Sequence, residues 1–266
     1  MSPEDALRSF GRGWRQARVL RRLQATPQKA SYLVARAGAR YVLRLDRLPV
    51  SAIGLDRAAE FAILNAAAAA GVAPRPVALR DGALLLAYVP GRAWTAQELR
   101  DPQRLHGLGR LLRRVHAVQA PAAPRLDLAR RIATYARLAG GRGARKRAAS
   151  ARDLIAAGGI GEGRTVLCHN DPIAANIVGT RPARLIDWEY AAIGDPLFDL
   201  AVVIGHHRLG RWAAATLAAS YFNGLGAVPQ DRLRTACAVY QQVEQLWREA
   251  LIATGRLTVT QHLQGL

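Results

Sequence analysis

The segment CHNDPIAANIVGTRPARLIDWEYAAIGDPLFDL, residues 168–200, gathers Asp171, Asp187, Glu189, Asp195 and Asp199 into one short stretch. The rest of the chain is strongly basic, with 38 Lys+Arg against 19 Asp+Glu overall. Carboxylates concentrated against such a background call for a specific use: a metal site, a general base, or structural caps. The first half, CHNDPIAANIV, offers His169, Asp171 and Asn176 between two short apolar runs. The second half, ARLIDWE, releases Asp187 directly after an apolar strand. An Asp and an Asn five apart on a loop converge on one point. With a second Asp leaving a strand end they form a set of hard oxygens suited to Mg²⁺, which takes few protein ligands and keeps water and substrate phosphates. GDPLFD reads differently. Asp195 sits at a helix N-cap with Pro196 in the first helical position, and Asp199 in the first turn suits the helix dipole. Both are expected to be structural.

Outward from this segment, the chain alternates in texture. Residues 18–46 read as strands, with a turn at QATPQKA and a hairpin break at AGA. GLDRAAEFAILNAAAAAG at 54–71 reads as a helix capped by Asp56 and stopped by Gly71. RPVALRDGALLLAYVPG forms a second hairpin that turns at Asp81–Gly82. Beyond Pro90–Gly91 helices take over, beginning with TAQELRDPQRLHGLGRLLRRVHAV, where Leu105, Leu108, Leu112 and Val115 share a face. Helical pattern continues at 126–138 and 147–157. RTVLCHN, NIVG and ARLIDW are short strands, and helices dominate again from Pro196. The expected fold class is α+β: a small antiparallel sheet lobe over 1–88 and a larger helical lobe over 89–266.

Composition excludes several classes. No apolar run approaches the ~18–20 residues that span a bilayer, so no membrane span is expected. MSPEDALRSF lacks the basic-then-apolar order of a signal peptide; it reads as a helix start, with Ser2 as cap and Pro3 in the first turn. Two isolated cysteines, Cys168 and Cys237, give neither a disulfide framework nor a zinc pattern. A reduced, cytoplasmic setting is expected. The net charge of +19 raises the possibility of a nucleic-acid binder. However, only Lys29 and Lys146 are lysines, so the excess is an arginine skew, and the densest run, GRGARKRAASAR at 141–152, carries no aromatic interleaving. It is expected to be a solvated loop and helix face, with no specific nucleic-acid partner.

The wording H-x-D-x-x-x-x-N at His169, Asp171 and Asn176, followed by LIDWEYAAIGDPLFDLA at 185–201, resembles the aminoglycoside phosphotransferase and choline kinase family. DWEYA…GDPLFDLA is closer to the choline, ethanolamine and thiamine kinase branch. The resemblance implies a bilobal protein-kinase-like fold and an ATP-dependent O-phosphotransferase that uses Mg²⁺ and acts on a cationic alcohol such as choline, ethanolamine or thiamine. It implies that Asp171 receives the acceptor hydroxyl's proton, that His169 braces the loop, and that Asn176 and Asp187 hold the metal. Glu189 becomes a further metal or substrate carboxylate. The small lobe should supply a cation on the donor phosphates, and Arg44 on the third strand, paired with Glu60 of the following helix, takes that position where many kinases have lysine. The phosphate-covering loop, QATPQKAS at 24–31, has no glycine to bring backbone N–H groups close, so Lys29 or Ser31 is expected to help. The hinge AYVPG places Tyr88 and Val89 at the nucleotide base. A cationic acceptor favours aromatic faces with carboxylates nearby; Trp188, Tyr190, Tyr221, Tyr240 and Trp247 are the candidates, and Glu244 and Trp247 share a helix face. Tyr190, Glu189, Glu244 and Trp247 are the expected acceptor contacts. Two alternatives keep the fold, an aminoglycoside or sugar phosphotransferase and a nucleotide-binding pseudoenzyme. The glycine-free loop and Arg44 motivate the latter, and intact Asp171, Asn176 and Asp187 argue against it.

Overall fold

The computed structural model describes residues 1–26, 29–47, 55–161, 163–179 and 182–255. Pro27 and Gln28 of the expected first turn, Gly54 at the head of the expected second helix, and the last residues of the tail lie outside these. Along the chain the elements are α1 (Pro3–Ser9), β1 (Arg18–Ala25), β2 (Lys29–Arg36), β3 (Ala39–Asp46), α2 (Arg57–Ala69), β4 (Pro76–Arg80) and β5 (Ala83–Ala87). Then follow α3 (Pro102–Val115), α4 (Leu128–Ala139), α5 (Gly141–Gly158), β6 (Val166–Cys168), β7 (Ile177–Val178), β8 (Arg184–Leu185), β9 (Ala192–Gly194), α6 (Pro196–His206), α7 (Arg211–Phe222) and α8 (Gln230–Ala253). They divide into two compact units. One comprises Met1–Trp94, Val118–Ala123 and Ala175–Ala191; the other comprises Thr95–Ala117, Pro124–Ala174 and Ala192–Leu266.

The first unit is built on a five-stranded antiparallel sheet in the order β1-β2-β3-β5-β4. Its two tight hairpins turn where positive φ is needed, at Ala37–Gly38 (48° and 76°) and Asp81–Gly82 (50° and 76°), a pair that matches the twist of the flanking strands. Strand alternation sends Val34, Leu43, Leu45, Ala83 and Leu85 to one face, where they pack with Leu7 of α1 and Trp14. Paired residues share a face, so Lys29 opposite Asp46 and Ser31 opposite Arg44 occupy the other face together. α2 begins as read, with the Asp56 carboxylate accepting from the N–H groups of Ala58 and Ala59. The β7–β8 pair completes this unit, tied back by Leu185 N–H to the Val72 carbonyl (2.9 Å) and Trp94 N–H to the Ile177 carbonyl (2.8 Å).

The second unit is helical. α8 packs against α4, α5 and α6, and α3 packs against α7. Gly109 allows the latter approach: a Cβ there would lie 2.7 Å from the Ser220 Cβ. One expectation needs correction. The basic run at 141–152 contains no loop; it lies within α5, with Ala144, Ala148 and Ala151 buried, Arg142, Arg145 and Arg152 exposed, and Arg147 reaching Glu249 of α8 at 3.2 Å. The alanine spacing of three and four makes a helix face, and the arginine-rich composition masked it. The short strand β9 was unforeseen; it pairs with β6. Among the described residues no helix is long and apolar enough to cross a membrane.

Candidate active site

In the first unit, seven charged side chains converge on the sheet face opposite α1. The Arg44 guanidinium, only 5% exposed, grips Glu60 through two bonds, Nη1 to Oε1 at 2.8 Å and Nη2 to Oε2 at 2.5 Å. Its Nη1 also reaches Asp187 Oδ1 at 3.3 Å. Lys29, at the start of β2, donates to both oxygens of Asp187 (2.6 and 2.5 Å) and to Glu189 Oε1 (3.0 Å). Burial works against the Lys29 charge, and Asp187 and Glu189 overcome it, raising its pKa. Arg57, the residue after the α2 cap, completes the network. It forks onto Asp46 (2.7 and 3.0 Å) and reaches Glu60 (2.7 Å) and Glu189 (3.1 Å). Each carboxylate therefore has a cationic partner, as buried charge requires.

Asp187 is placed by backbone. The β7–β8 register pairs Ile177 with Leu185, and the Ile186 N–H continues it onto the Asn176 carbonyl at 2.8 Å. Asn176 thus stands opposite Ile186, one residue before Asp187. Asp187 itself adopts a left-handed conformation (φ 65°), which Asp tolerates better than most residues and which turns its carboxylate out of the strand direction. The donor chemistry of Asn176 and Asp187, hard oxygens with a carboxylate one-quarter exposed, fits Mg²⁺. Just after β5, the Tyr88 N–H donates to the Arg40 carbonyl (3.2 Å), and the Ala87 N–H donates to the Arg75 carbonyl (2.8 Å).

In the second unit, the segment carrying His169 and Asp171 hangs from α6. Asp199 accepts the N–H groups of His169 (Oδ2, 2.8 Å) and Asn170 (Oδ1, 2.7 Å). His116 Nε2 lies 3.0 Å from the same Oδ2, and its Nδ1 lies 2.7 Å from the Tyr221 hydroxyl. One proton arrangement satisfies all: Tyr221 donates to Nδ1, and Nε2–H donates to the carboxylate. Asp195 caps α6 through the Leu197 N–H (2.9 Å) and also takes Arg232 (2.8 Å). Both acids are structural, as expected.

The aromatic candidates separate. Trp188 is a core residue, 1% exposed, its indole N–H spent on the Leu185 carbonyl at 2.9 Å. Tyr221 is likewise buried against His116. Of the five aromatic candidates, these two are core residues. Tyr240 packs against α6, where Gly205 makes room, since a Cβ there would sit 2.6 Å from the ring's Cδ1. Burial raises the Tyr240 pKa, with Glu244 and Asp171 adding to the shift. Glu244 Oε1 accepts from Arg248 (2.9 Å) and lies 3.2 Å from His206 Nδ1. Burial alone would raise its pKa, yet these partners bring it to about 2. Trp247 is half-buried on the same helix. Glu189 and Tyr190 belong to the first unit, Glu244 and Trp247 to the second. Sequence reading missed Arg57, Asp46, His116 and His207. Arg57 had a signal, a cation immediately after a helix cap; the others lay among unremarkable neighbours.

Several solved structures share this fold. The choline/ethanolamine kinase family protein from Mesorhizobium loti is 23% identical, with a TM-score of 0.74 over 88% of this chain and 80% of that one. The choline kinase LicA from Streptococcus pneumoniae is 16% identical, with a TM-score of 0.76 over 94% and 90%. An aminoglycoside-3'-phosphotransferase of type VIII is 21% identical, with a TM-score of 0.63 over 90% and 98%. At these identities the likeness is one of fold, that of protein-kinase-like phosphotransferases. Protein LicA of Haemophilus influenzae is 43% identical over 58 residues, 21% of this chain and 21% of that protein, so the match spans about a fifth of its length. Residues 20–237, most of the chain, match the phosphotransferase enzyme family, and the chain belongs to that family.

Proposed function

We propose that this phosphotransferase is an ATP-dependent kinase that phosphorylates the hydroxyl of a small cationic alcohol of the choline, ethanolamine or thiamine type. The observation that carries the phosphoryl-transfer reading is the convergence of Lys29 and Arg44 on Asp187. Cations aimed at a strand-end carboxylate provide what a metal-bound triphosphate needs: a metal ligand with positive groups beside it for the donor oxygens. Asn176 and Asp187 are the residues that would hold Mg²⁺, which when bound neutralises charge on the phosphates. In this reading residues 1–88 bind the nucleotide, with Tyr88 and Val89 at the base, and residues 89–266 bind the acceptor. Asp171 orients the acceptor hydroxyl and takes its proton, while His169 steadies the loop. Positioning is the larger part of that task, because phosphoryl transfer asks little of a base.

For the acceptor, the partly buried Tyr190 and Trp247 are the aromatic contacts, and the similar proteins named for choline and ethanolamine support this class. A second reading, a neutral polyhydroxyl acceptor such as a sugar, has one observation in its favour that does not extend to an aminoglycoside, itself a polycation. Glu189 and Glu244, the carboxylates proposed to meet an acceptor's charge, already have protein cations. The deciding experiment measures ATP consumption with choline, ethanolamine, thiamine, sugars and aminoglycosides. Turnover of a neutral sugar with none of the three cationic alcohols would overturn the first reading. A glycine-free phosphate loop without any turnover would favour the pseudoenzyme.

A further inference from the structure

The catalytic loop is held at two points by one helix. Asp199, in the first turn of α6, takes the N–H groups of His169 and Asn170. His207, the residue that closes α6, accepts the Ala174 N–H on its Nε2 at 3.0 Å. These anchors are eight residues apart, about 12 Å along a helix axis. The backbone from Asn170 to Ala174 spans four residues, at most about 14 Å. Asp171 lies between the two anchors, and Ala174 opens the 3-10 turn that ends at Asn176.

We propose that His207 is a positioning residue: its unprotonated Nε2 fixes the far end of the loop that presents Asp171 and the start of the turn that presents Asn176. The role rests on the phosphotransfer reading above for its functional consequence, but not for the hydrogen bond itself. Ala174 is 2% exposed, so water cannot replace a lost acceptor for its N–H. Only a neutral imidazole with its proton on Nδ1 presents an acceptor there; an imidazolium would set N–H against N–H. The surroundings keep it neutral. Burial, then the His206 ring at 4.8 Å, lower the His207 pKa to about 4, with Glu244 of α8 opposing. The adjacent histidines divide the work. His206 faces α8, where it meets Glu244 and, at 3.4 Å, the Tyr240 hydroxyl; His207 faces the loop.

The test compares His207→Leu, which keeps bulk and loses the acceptor, with His207→Asn, which keeps a side-chain acceptor. Amide hydrogen exchange on the full chain without substrate reads the bond directly. Ala174 should exchange at least tenfold faster in His207→Leu while Leu167 and Cys168 of β6 keep their protection, and His207→Asn should recover part of the difference. With the acceptor that the wild type turns over, kcat should fall about tenfold or more in His207→Leu and recover in part in His207→Asn. Unchanged Ala174 exchange in His207→Leu overturns the proposal, as does faster exchange with unchanged kcat. Should His207→Leu fail to fold, the ¹⁵N resonances of the wild-type imidazole decide: a bare Nε2 at neutral pH supports the role, and a protonated Nε2 refutes it. A wild type that binds no nucleotide and turns over no acceptor would instead remove the phosphotransfer reading, leaving the exchange result to stand alone.

Discussion

The Lys29 ammonium lies 2.6 Å from Oδ1 and 2.5 Å from Oδ2 of Asp187, centred on both oxygens of the carboxylate. Arg44 touches the same group from one side only, at 3.3 Å. The two cations differ in freedom. Arg44 is locked by its fork onto Glu60, whereas Lys29 is a compact point charge that can exchange one set of oxygens for another. If Lys29 moves onto phosphate oxygens, Asp187 keeps Arg44, and Glu189 keeps Arg57.

Lys29→Gln is therefore expected to weaken binding of ATP more than binding of AMP. A charge-assisted hydrogen bond contributes about 1.5–3 kcal/mol, which corresponds to roughly tenfold or more in the dissociation constant. Calorimetric titration of both nucleotides checks it. Equal losses for ATP and AMP would place Lys29 away from the phosphates.

Arg44 and Glu60 are expected to matter for stability as well as for nucleotide. Both are nearly inaccessible to solvent, and removing one partner of a buried pair costs about 3–5 kcal/mol. Arg57 also reaches Glu60, so Glu60→Gln should fall at or below the lower end, about 3 kcal/mol, while raising the KM for ATP more than that for the acceptor. Urea unfolding and steady-state kinetics on the same preparation measure the two effects.

Much of this arrangement could be read from the residue order, and the reasons differ by element. The hairpin at Asp81–Gly82 and the caps at Ser2, Asp56 and Asp195 are local: the side chain that signals each feature also makes it. Arg44 and Glu60 were expected from the family resemblance, which pairs a third-strand cation with an acid of the following helix, and the structure joins them at 2.5 Å. Arg57, Asp46, His116 and His207 depend on which elements pack together. His116 meets Asp199 across 83 residues and Tyr221 across 105, separations over which no periodicity carries information. Trp188 was open between an acceptor contact and core packing, and packing decides it, with the ring 1% exposed and its N–H on the Leu185 carbonyl.

Acid should reveal the neutral state of His207. Unfolded, a histidine takes its proton near 6.5; folded, this one does so at about 4. Between those values the unfolded chain binds the extra proton, so the stability tied to the neutral ring is complete above 6.5 and declines as pH falls toward 4. The difference in thermal midpoint between wild type and His207→Asn should thus shift across this window and stay constant above it. A difference independent of pH would mean that His207 is not held neutral.

Asp171→Asn keeps the shape of the loop residue and removes its charge. With Asp199 still holding His169 and Asn170, the loop should remain in place. Loss of the proposed proton acceptor should then lower kcat by about 10²–10⁴-fold with ATP affinity nearly unchanged. Single-turnover kinetics separate the two quantities. A kcat near that of the wild type would move the base elsewhere.

Glu244 discriminates between the two acceptor classes. Its carboxylate already serves Arg248 and His206, and Trp247 stands on the same helix. A cationic acceptor must share that carboxylate with Arg248, and removing the negative charge leaves Arg248 facing the ligand's own positive charge. Glu244→Gln should then raise the acceptor KM about tenfold, the equivalent of 1.4 kcal/mol, and Trp247→Ala should add a comparable loss through the missing aromatic face, about 1–2 kcal/mol when the contact is desolvated. A neutral polyhydroxyl acceptor loses no ionic partner in Glu244→Gln, and its KM should change little, because an amide still offers a hydrogen bond. Competition by tetramethylammonium sharpens the contrast: it should inhibit the wild type competitively with a cationic acceptor and lose potency in Trp247→Ala. Absence of inhibition together with an unchanged KM in Glu244→Gln would decide for the polyhydroxyl class.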